Sequence, residues 1–419
     1  MAKTVTRGDI LSADGKVLAT SKIDKSGNEV RSYPYNNLFC HVIGRNSNGK
    51  TGVEASQNVM LLTSDINPFV SITNQLRGIK NPGNNVITTL NVKIQQVANK
   101  ALEGRKGAIV VLEPDTGKCI GMVSKPDYNP NEIAKLWDTL VKEENEDSSL
   151  LNRVTQGLYP PGSTFKTITA LAFMRQNPEY HSFTYECTGQ AKIGTETINC
   201  YNKKKHGKVD LETAFAKSCN CAFAEMGYSL NQEKLTQLCE TLYFNNALFS
   251  EFEYNKSSYI AVNKEDIGMI MQTSIGQGKT TITPMHNAML VSAIVNDGVL
   301  MSPYIVEGIE DANGNTVSTQ KANDVKRLMS NEEAKILMKM MDKTVSSGTA
   351  SALSHHSYRA GGKTGSAEFG TEKKSHAWFV GYGIKNNKKL VVSIIVEGAG
   401  TGSDYAVPIA EKIFNTYWD

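Results

Sequence analysis

Two pairs of apolar β-runs stand far apart in this sequence and bracket a long stretch with helical periodicity. The first pair is GAIVVLEPDTGKCIGMVS from Gly107, broken at Pro114-Asp115-Thr116-Gly117, where proline and glycine suit a turn. The second is HAWFVGYGI and KKLVVSIIVEG, separated by Lys385-Asn386-Asn387-Lys388, after which a helical pattern from Asp404 to Tyr417 closes the chain. Hairpins at both ends of a helical middle predict one antiparallel sheet with helices packed on it, a mixed α+β fold.

The residues before Gly107 have another texture. They are polar and broken by glycine and asparagine, which predicts short strands and loops with no deep core. Only Asn91 to Glu103 shows a helical stripe, through Ile94, Val97, Ala98, Ala101 and Leu102. A chain of 419 residues exceeds one ordinary core, so the change predicts a small domain over 1–105 and a large one over 106–419. The net charge of +3 gives no reason to expect a nucleic-acid partner. The longest apolar run, Leu390 to Val396, is far too short to span a bilayer, and the first residues do not form a signal peptide.

Pro160-Pro161-Gly162 interrupts the chain just before Ser163, and the apolar spacing of Phe165, Ile168, Leu171, Ala172 and Met174 predicts a buried helix starting at or near that serine. Lys166 falls one turn on, within reach of the Ser163 hydroxyl, and the first-turn N–H groups favour negative charge on the oxygen. Such a pair is common by chance, but Ser218-Cys219-Asn220 and Lys363-Thr364-Gly365 follow it. Ser-x-x-Lys, Ser-x-Asn and Lys-Thr-Gly in that order are the motifs of the penicillin-recognising serine acyltransferases. Acyl transfer needs a deprotonated serine, a proton for the leaving amine and donors for the oxyanion. Desolvation and a second cation, Lys363, would lower the pKa of Lys166 and make it the base. Ser218 would relay the proton and Asn220 hold the substrate amide. Lys363 and Thr364 would bind a carboxylate, and Gly365 would let a strand edge approach so that the Ser366 and Ser163 N–H groups form the oxyanion hole.

The chain resembles the transpeptidase module of class B penicillin-binding proteins. The resemblance runs through GAIVVLEPDTGKCIGMVSKPDYNPN, LLNRVTQGLYPPGSTFK and SIGQGKTTITPMHNAMLVSAIVNDGVLMSPYIV, while RGDILSADGKVLA, RSYPYNNLFCHVIGR and GKTGVEASQNVML resemble the family's pedestal. Asn91 departs from the aspartate frequent there. The resemblance implies peptidoglycan stem peptides ending in D-Ala-D-Ala as substrate and β-lactam antibiotics as acylating inhibitors. It implies no cofactor for catalysis, a membrane anchor ahead of residue 1 on the extracytoplasmic side, and a separate glycosyltransferase as membrane partner. A serine β-lactamase would add a deacylating carboxylate between the second and third motifs, yet Glu240, Glu251, Glu253 and Glu265 lack a Glu-x-x-Leu-Asn setting. A β-lactam sensor domain is the other alternative, and the pedestal favours the transpeptidase over both.

Seven cysteines are an odd number, so complete pairing is excluded. Cys187 and Cys200 bound a glycine-punctuated segment suited to a hairpin. His206 follows six residues later, and Cys219 is the middle of Ser-Cys-Asn. These four would make a closed Cys₃His zinc site, with Asp210 or Cys221 able to replace Cys219. A Cys187–Cys200 disulfide is the competing reading. The expectation adopted is a structural zinc that holds the second motif and takes no part in acyl transfer.

Overall fold

In a computed structural model of the protein, the residues described are 4–26, 28–142, 147–248, 252–368 and 375–418. The two distant hairpins join edge to edge. Lys388–Val396 pairs antiparallel with Gly107–Leu112, from Val391 opposite Leu112 to Val396 opposite Gly107. The resulting five-stranded antiparallel sheet runs Arg359–Glu368, Ser375–Lys385, Lys388–Val396, Gly107–Leu112 and Cys119–Lys125 in spatial order. Its inner strands are apolar on both sides because both faces are covered. Val92–Ala101 and the C-terminal Val407–Trp418 lie on one face, where Ile94, Ala98, Ile413 and Phe414 share a core with Ile109, Val111 and Phe379. Pro284–Val295 and Lys166–Gln176 belong to the core on the other face. The second of these is buried on every residue from Lys166 to Met174, so it has no polar side to turn outward.

The N-terminal part departs from the expectation. It does have a core, with Leu18, Ala19, Phe39, Val42, Ile43, Val53 and Leu61 all buried, and it has helices at Gly52–Ser56, Asn58–Leu61 and Pro68–Leu76. The missing apolar partner comes from far downstream: Val306–Glu310, with Val306 and Ile309 buried, pairs with Asn85–Thr88 in the sheet that also holds Ile10–Leu11, Val17–Ile23 and Glu29–Ser32, and the exposed Thr316–Thr319 only extends its edge. Arg7, in the RGDI stretch, and Arg31 both reach the buried Glu54 carboxylate, at 2.7 and 2.6 Å. Asn91 is the N-cap of the 92–101 helix, its side chain accepting from Ile94 N at 3.0 Å, a role in which asparagine equals aspartate. Among the described residues no helix is long and apolar enough to cross a membrane.

Candidate active site

Ser163 lies on a 3₁₀ turn, Gly162–Phe165, that runs straight into the Lys166–Gln176 helix. The serine is half-buried and faces a cleft of about 700 Å³. The turn is wedged from three sides. Gly162 has φ +52°, donates to Gly276 O at 2.9 Å, and is so close to the third motif that a Cβ there would meet Ser366 O at 2.9 Å. Trp378 Nε1 donates to Pro160 O at 3.0 Å, and Tyr159 exchanges backbone bonds with Ile282. Behind it, Arg153 and Tyr159 both bind Glu397, at 2.8 and 2.7 Å.

The sequence places the Lys166 amine against Ser163; among the described residues its hydrogen bonds go elsewhere. Lys166 Nζ donates to Asn220 Oδ1 at 2.7 Å, Ser218 O at 2.9 Å and Ser218 Oγ at 3.2 Å. Lys363 Nζ approaches the same hydroxyl, at 3.0 Å, and donates to Thr364 O at 2.9 Å. Ser218 Oγ therefore joins two buried amines. Each also lies over an aromatic ring, Lys166 over Phe223 at 5.5 Å and Lys363 over Phe215 at 5.6 Å. Burial lowers the Lys166 pKa to about 8. Lys363 is pushed well below the ordinary lysine range, by burial first and by the Lys166 charge second.

Ser218 sits between the helices Leu211–Ala216 and Asn220–Ser229 with φ +54°, a left-handed conformation unusual for serine. That kink turns its hydroxyl and Asn220 toward the lysines. Asn220 Nδ2 donates to Asn199 O at 2.9 Å, so its amide bridges Lys166 and the neighbouring hairpin.

The third motif occupies the sheet's edge strand, Arg359–Glu368, directly beside the Ser163 turn. A Cβ on Gly365 would lie 3.2 Å from Pro161 O and 3.3 Å from Thr164 Cγ2, so a larger residue would push the strand off the turn. Ser366, Thr364 and Gly365 line the cleft together with Ser163, Ser218 and Asn220. Every predicted member of the three motifs is thus brought to one place. Sequence reasoning missed Thr349, whose hydroxyl hydrogen-bonds Thr364 Oγ1, and the two phenylalanines over the lysines. It also missed Gly402 and Asp404, which line the cleft from a segment with no motif. Glu240, Glu253 and Glu265 are not among the lining residues, and Glu251 lies outside the described residues.

The cysteine cluster forms beside this cleft. Gln190–Ile193 and Glu196–Asn199 make the expected hairpin, and Thr184–Cys187 pairs with Gly207–Asp210. Cys187 Sγ and Cys200 Sγ are 3.7 Å apart, well beyond a disulfide bond, and the described cysteines are all free. Cys200 Sγ is also 3.7 Å from Cys219 Sγ, while His206 Nδ1 is 3.5 Å from Cys187 Sγ and 3.6 Å from Cys200 Sγ. A tetrahedron built on ordinary Zn–S and Zn–N bond lengths has edges of about 3.7 Å between sulfurs and about 3.5 Å between sulfur and nitrogen. The donor set fits zinc in kind and spacing. Of the two alternative ligands, Asp210 is corrected: it caps the 211–216 helix through Thr213 N at 2.7 Å and stands outside the cluster. Cys221 touches it through Cys200 at 3.4 Å without completing it.

Residues 107–415 match the family profile described as the penicillin binding protein transpeptidase domain, and residues 7–86 match the penicillin binding protein A dimerisation domain. Peptidoglycan D,D-transpeptidase PbpA of Mycolicibacterium smegmatis is 32% identical over 96% of this chain and 87% of its own length. Peptidoglycan D,D-transpeptidase MrdA of Haemophilus influenzae is 27% identical over 90% of this chain and 64% of its own length. Among solved structures, the ceftriaxone acyl-enzyme of penicillin-binding protein A from M. tuberculosis superposes with a TM-score of 0.89 at 28% identity, covering 99% of this chain and 98% of that one. The D,D-transpeptidase domain from Eggerthella lenta gives 0.87 at 29% identity, with the same coverage.

Proposed function

Because the chain belongs to the penicillin-binding protein transpeptidase family, we propose that it cross-links peptidoglycan stem peptides through an acyl-enzyme on Ser163. The observation that carries this reading is the pair of buried amines joined by Ser218 Oγ beside a half-buried serine. Ser163 Oγ attacks the carbonyl between the two terminal D-Ala residues, and its proton passes to the neutral form of Lys166. With a pKa near 8, roughly one molecule in ten holds that form at pH 7. The backbone N–H groups of Ser163 and Ser366 receive the oxyanion, and Thr364 with Lys363 holds the terminal carboxylate. The C–N bond then breaks, and the departing D-Ala amine takes the proton through Ser218. The amine of a second stem attacks the ester by the reverse route. Asn220 positions the substrate amide. Acyl transfer of this kind runs on side chains and backbone alone, without a cofactor.

A β-lactam opens in the first step and keeps its leaving nitrogen tethered, so the adduct persists unless a base activates water. Among the described residues, the carboxylates that line the cleft, Glu368 and Asp404, both follow the third motif, which supports the transpeptidase over the lactamase. Intact-mass measurement over hours with a penicillin tests this: one stable adduct is expected on the parent and none on Ser163→Ala. Rapid loss of the adduct would favour a lactamase, and acylation without cross-linking of stem peptides would favour a sensor.

Cys187, Cys200, His206 and Cys219 are the proposed holders of a structural zinc, which would tie the hairpin to the N-terminus of the 220–229 helix, where Ser218 and Asn220 stand. Elemental analysis should find near one zinc per chain, lost together with several degrees of melting temperature in Cys200→Ser. A metal-free parent of equal stability would refute it. The pedestal is assigned to 1–105 and the catalytic domain to 106–419, with the 92–101 helix and the strands of 306–319 packing across that division. We assign the chain to the extracytoplasmic face, behind a membrane anchor that precedes Arg7. A separate membrane glycosyltransferase is the partner proposed, as the resemblance to class B penicillin-binding proteins implies.

A further inference from the structure

The Pro68–Leu76 helix is amphipathic in the reverse sense. Its polar side faces the protein: Asn74 Nδ2 donates to Asn81 Oδ1 at 2.9 Å, and Asn81 Nδ2 donates to Ser71 Oγ at 2.7 Å. Its apolar side faces outward, with Phe69 81%, Leu76 84% and Ile72 56% exposed, and Ile79 just beyond the helix 53% exposed. None of its residues is buried. Surface helices ordinarily show the opposite arrangement, and a contiguous apolar face of this kind marks a surface that something apolar covers.

We propose that this face lies in the headgroup boundary of an anionic phospholipid bilayer. Three observations select lipid as the occupant. No acidic residue occurs from 66 to 102, while Arg77 is exposed at the end of the helix; Lys80, three residues on, is paired with Glu29 at 2.9 Å. The exposed Asp65 stands before the N-terminus, so the basic flank is the C-terminal one, and an aromatic and aliphatic face beside such a flank suits an interfacial helix. The position agrees: Val5 pairs with Asn81 and Thr6 with Pro82, so the chain's first described residues run alongside the segment that ends this helix. Any anchor preceding them enters at this end. The inference rests on the extracytoplasmic, membrane-side placement proposed above.

Co-sedimentation of the 1–419 chain with vesicles of phosphatidylcholine and phosphatidylglycerol in equal parts tests it. The parent is expected to bind these vesicles and to bind phosphatidylcholine alone more weakly. Phe69→Ser with Leu76→Ser, both at exposed positions, should weaken binding at least about tenfold while leaving acylation by penicillin unchanged. Arg77→Glu should weaken binding to the mixed vesicles alone. Absence of vesicle binding by the parent, or equal binding by the double variant, overturns the proposal. So does a parent that ignores vesicles and self-associates through the two residues, which would make a second copy the occupant. The membrane-side placement is tested apart, by fractionating cells that produce the protein, and that result does not enter the vesicle measurement.

Discussion

Charge is buried in two regions of this molecule, and on opposite terms. In the pedestal, the Glu54 carboxylate is fully buried and is met by Arg7 and Arg31, with Tyr33 OH adding a bond at 3.3 Å. In the catalytic cleft, Lys166 and Lys363 are equally buried, and their hydrogen-bond acceptors are hydroxyl, amide and backbone oxygens without a carboxylate among them. A buried charge met by its counter-ions ties distant elements together, and removing one partner leaves the others uncompensated. Two buried amines without a counter-ion are both shifted toward their neutral forms, and an amine held partly neutral can act as a base. The first arrangement suits the fold, the second the acyl transfer proposed above.

The sharpest way to break this comparison is to exchange the readouts. Glu54→Ala leaves two guanidinium groups buried without their carboxylate and is expected to cost about 3–5 kcal/mol in urea unfolding. Below its transition, the variant should still be acylated at the parent's rate; a large loss of acylation would mean that the pedestal network governs the cleft. Lys166→Met should do the reverse. Acylation should fall at least about 100-fold, as expected on losing a general base, whereas stability at pH 7 should change by less than about 2 kcal/mol. Two opposed terms lead to that small figure. Removing the amine relieves the burial cost, and it leaves Ser218 O and Asn220 Oδ1 without a donor.

The pH dependence follows from the same pair. Lys166 has its folded pKa depressed from 10.5 to about 8, so the unfolded chain holds the extra proton between those values. Stability therefore rises with pH across that window, and the burial cost is fully present below about pH 8. Acylation should rise about tenfold per pH unit on the acid side and level off above about pH 8. A flat profile between pH 6 and roughly 8 would remove Lys166 from the role of base.

Much of this was legible because the chemistry is local. Ser-x-x-Lys puts two groups on one turn, and the hairpins at Gly107 and Lys388 carry their own turn signals. The cysteine cluster was legible for a similar reason, since its hairpin folds on itself and brings Cys187 to Cys200. What escaped depends on distant partners. The pedestal core needs the strand Val306–Glu310, so its own residues read as loops. The strand of RAGGKTGSAE lacks apolar alternation because small residues let it lie against the Ser163 turn. The acceptors of Lys166 come from a helix junction more than fifty positions away, and helical spacing could offer only Ser163.

The smallest effect separates what Ser218 does through its hydroxyl from what it does through its backbone. At φ +54° any residue with a Cβ is strained, by about 1–2 kcal/mol, and glycine is not. Ser218→Ala and Ser218→Gly both remove the oxygen that Lys166 and Lys363 share at 3.2 and 3.0 Å, so both should lose acylation to the same extent, within about twofold. They should differ in stability. Glycine relieves the strain but adds freedom to the unfolded chain, which leaves it about 0.5–1 kcal/mol more stable than alanine. If instead the two variants differ in acylation and not in unfolding midpoint, the shape of the kink, rather than the shared hydroxyl, is what the lysine pair requires. The contrast with the Glu54 network would then rest on backbone geometry and no longer on proton relay.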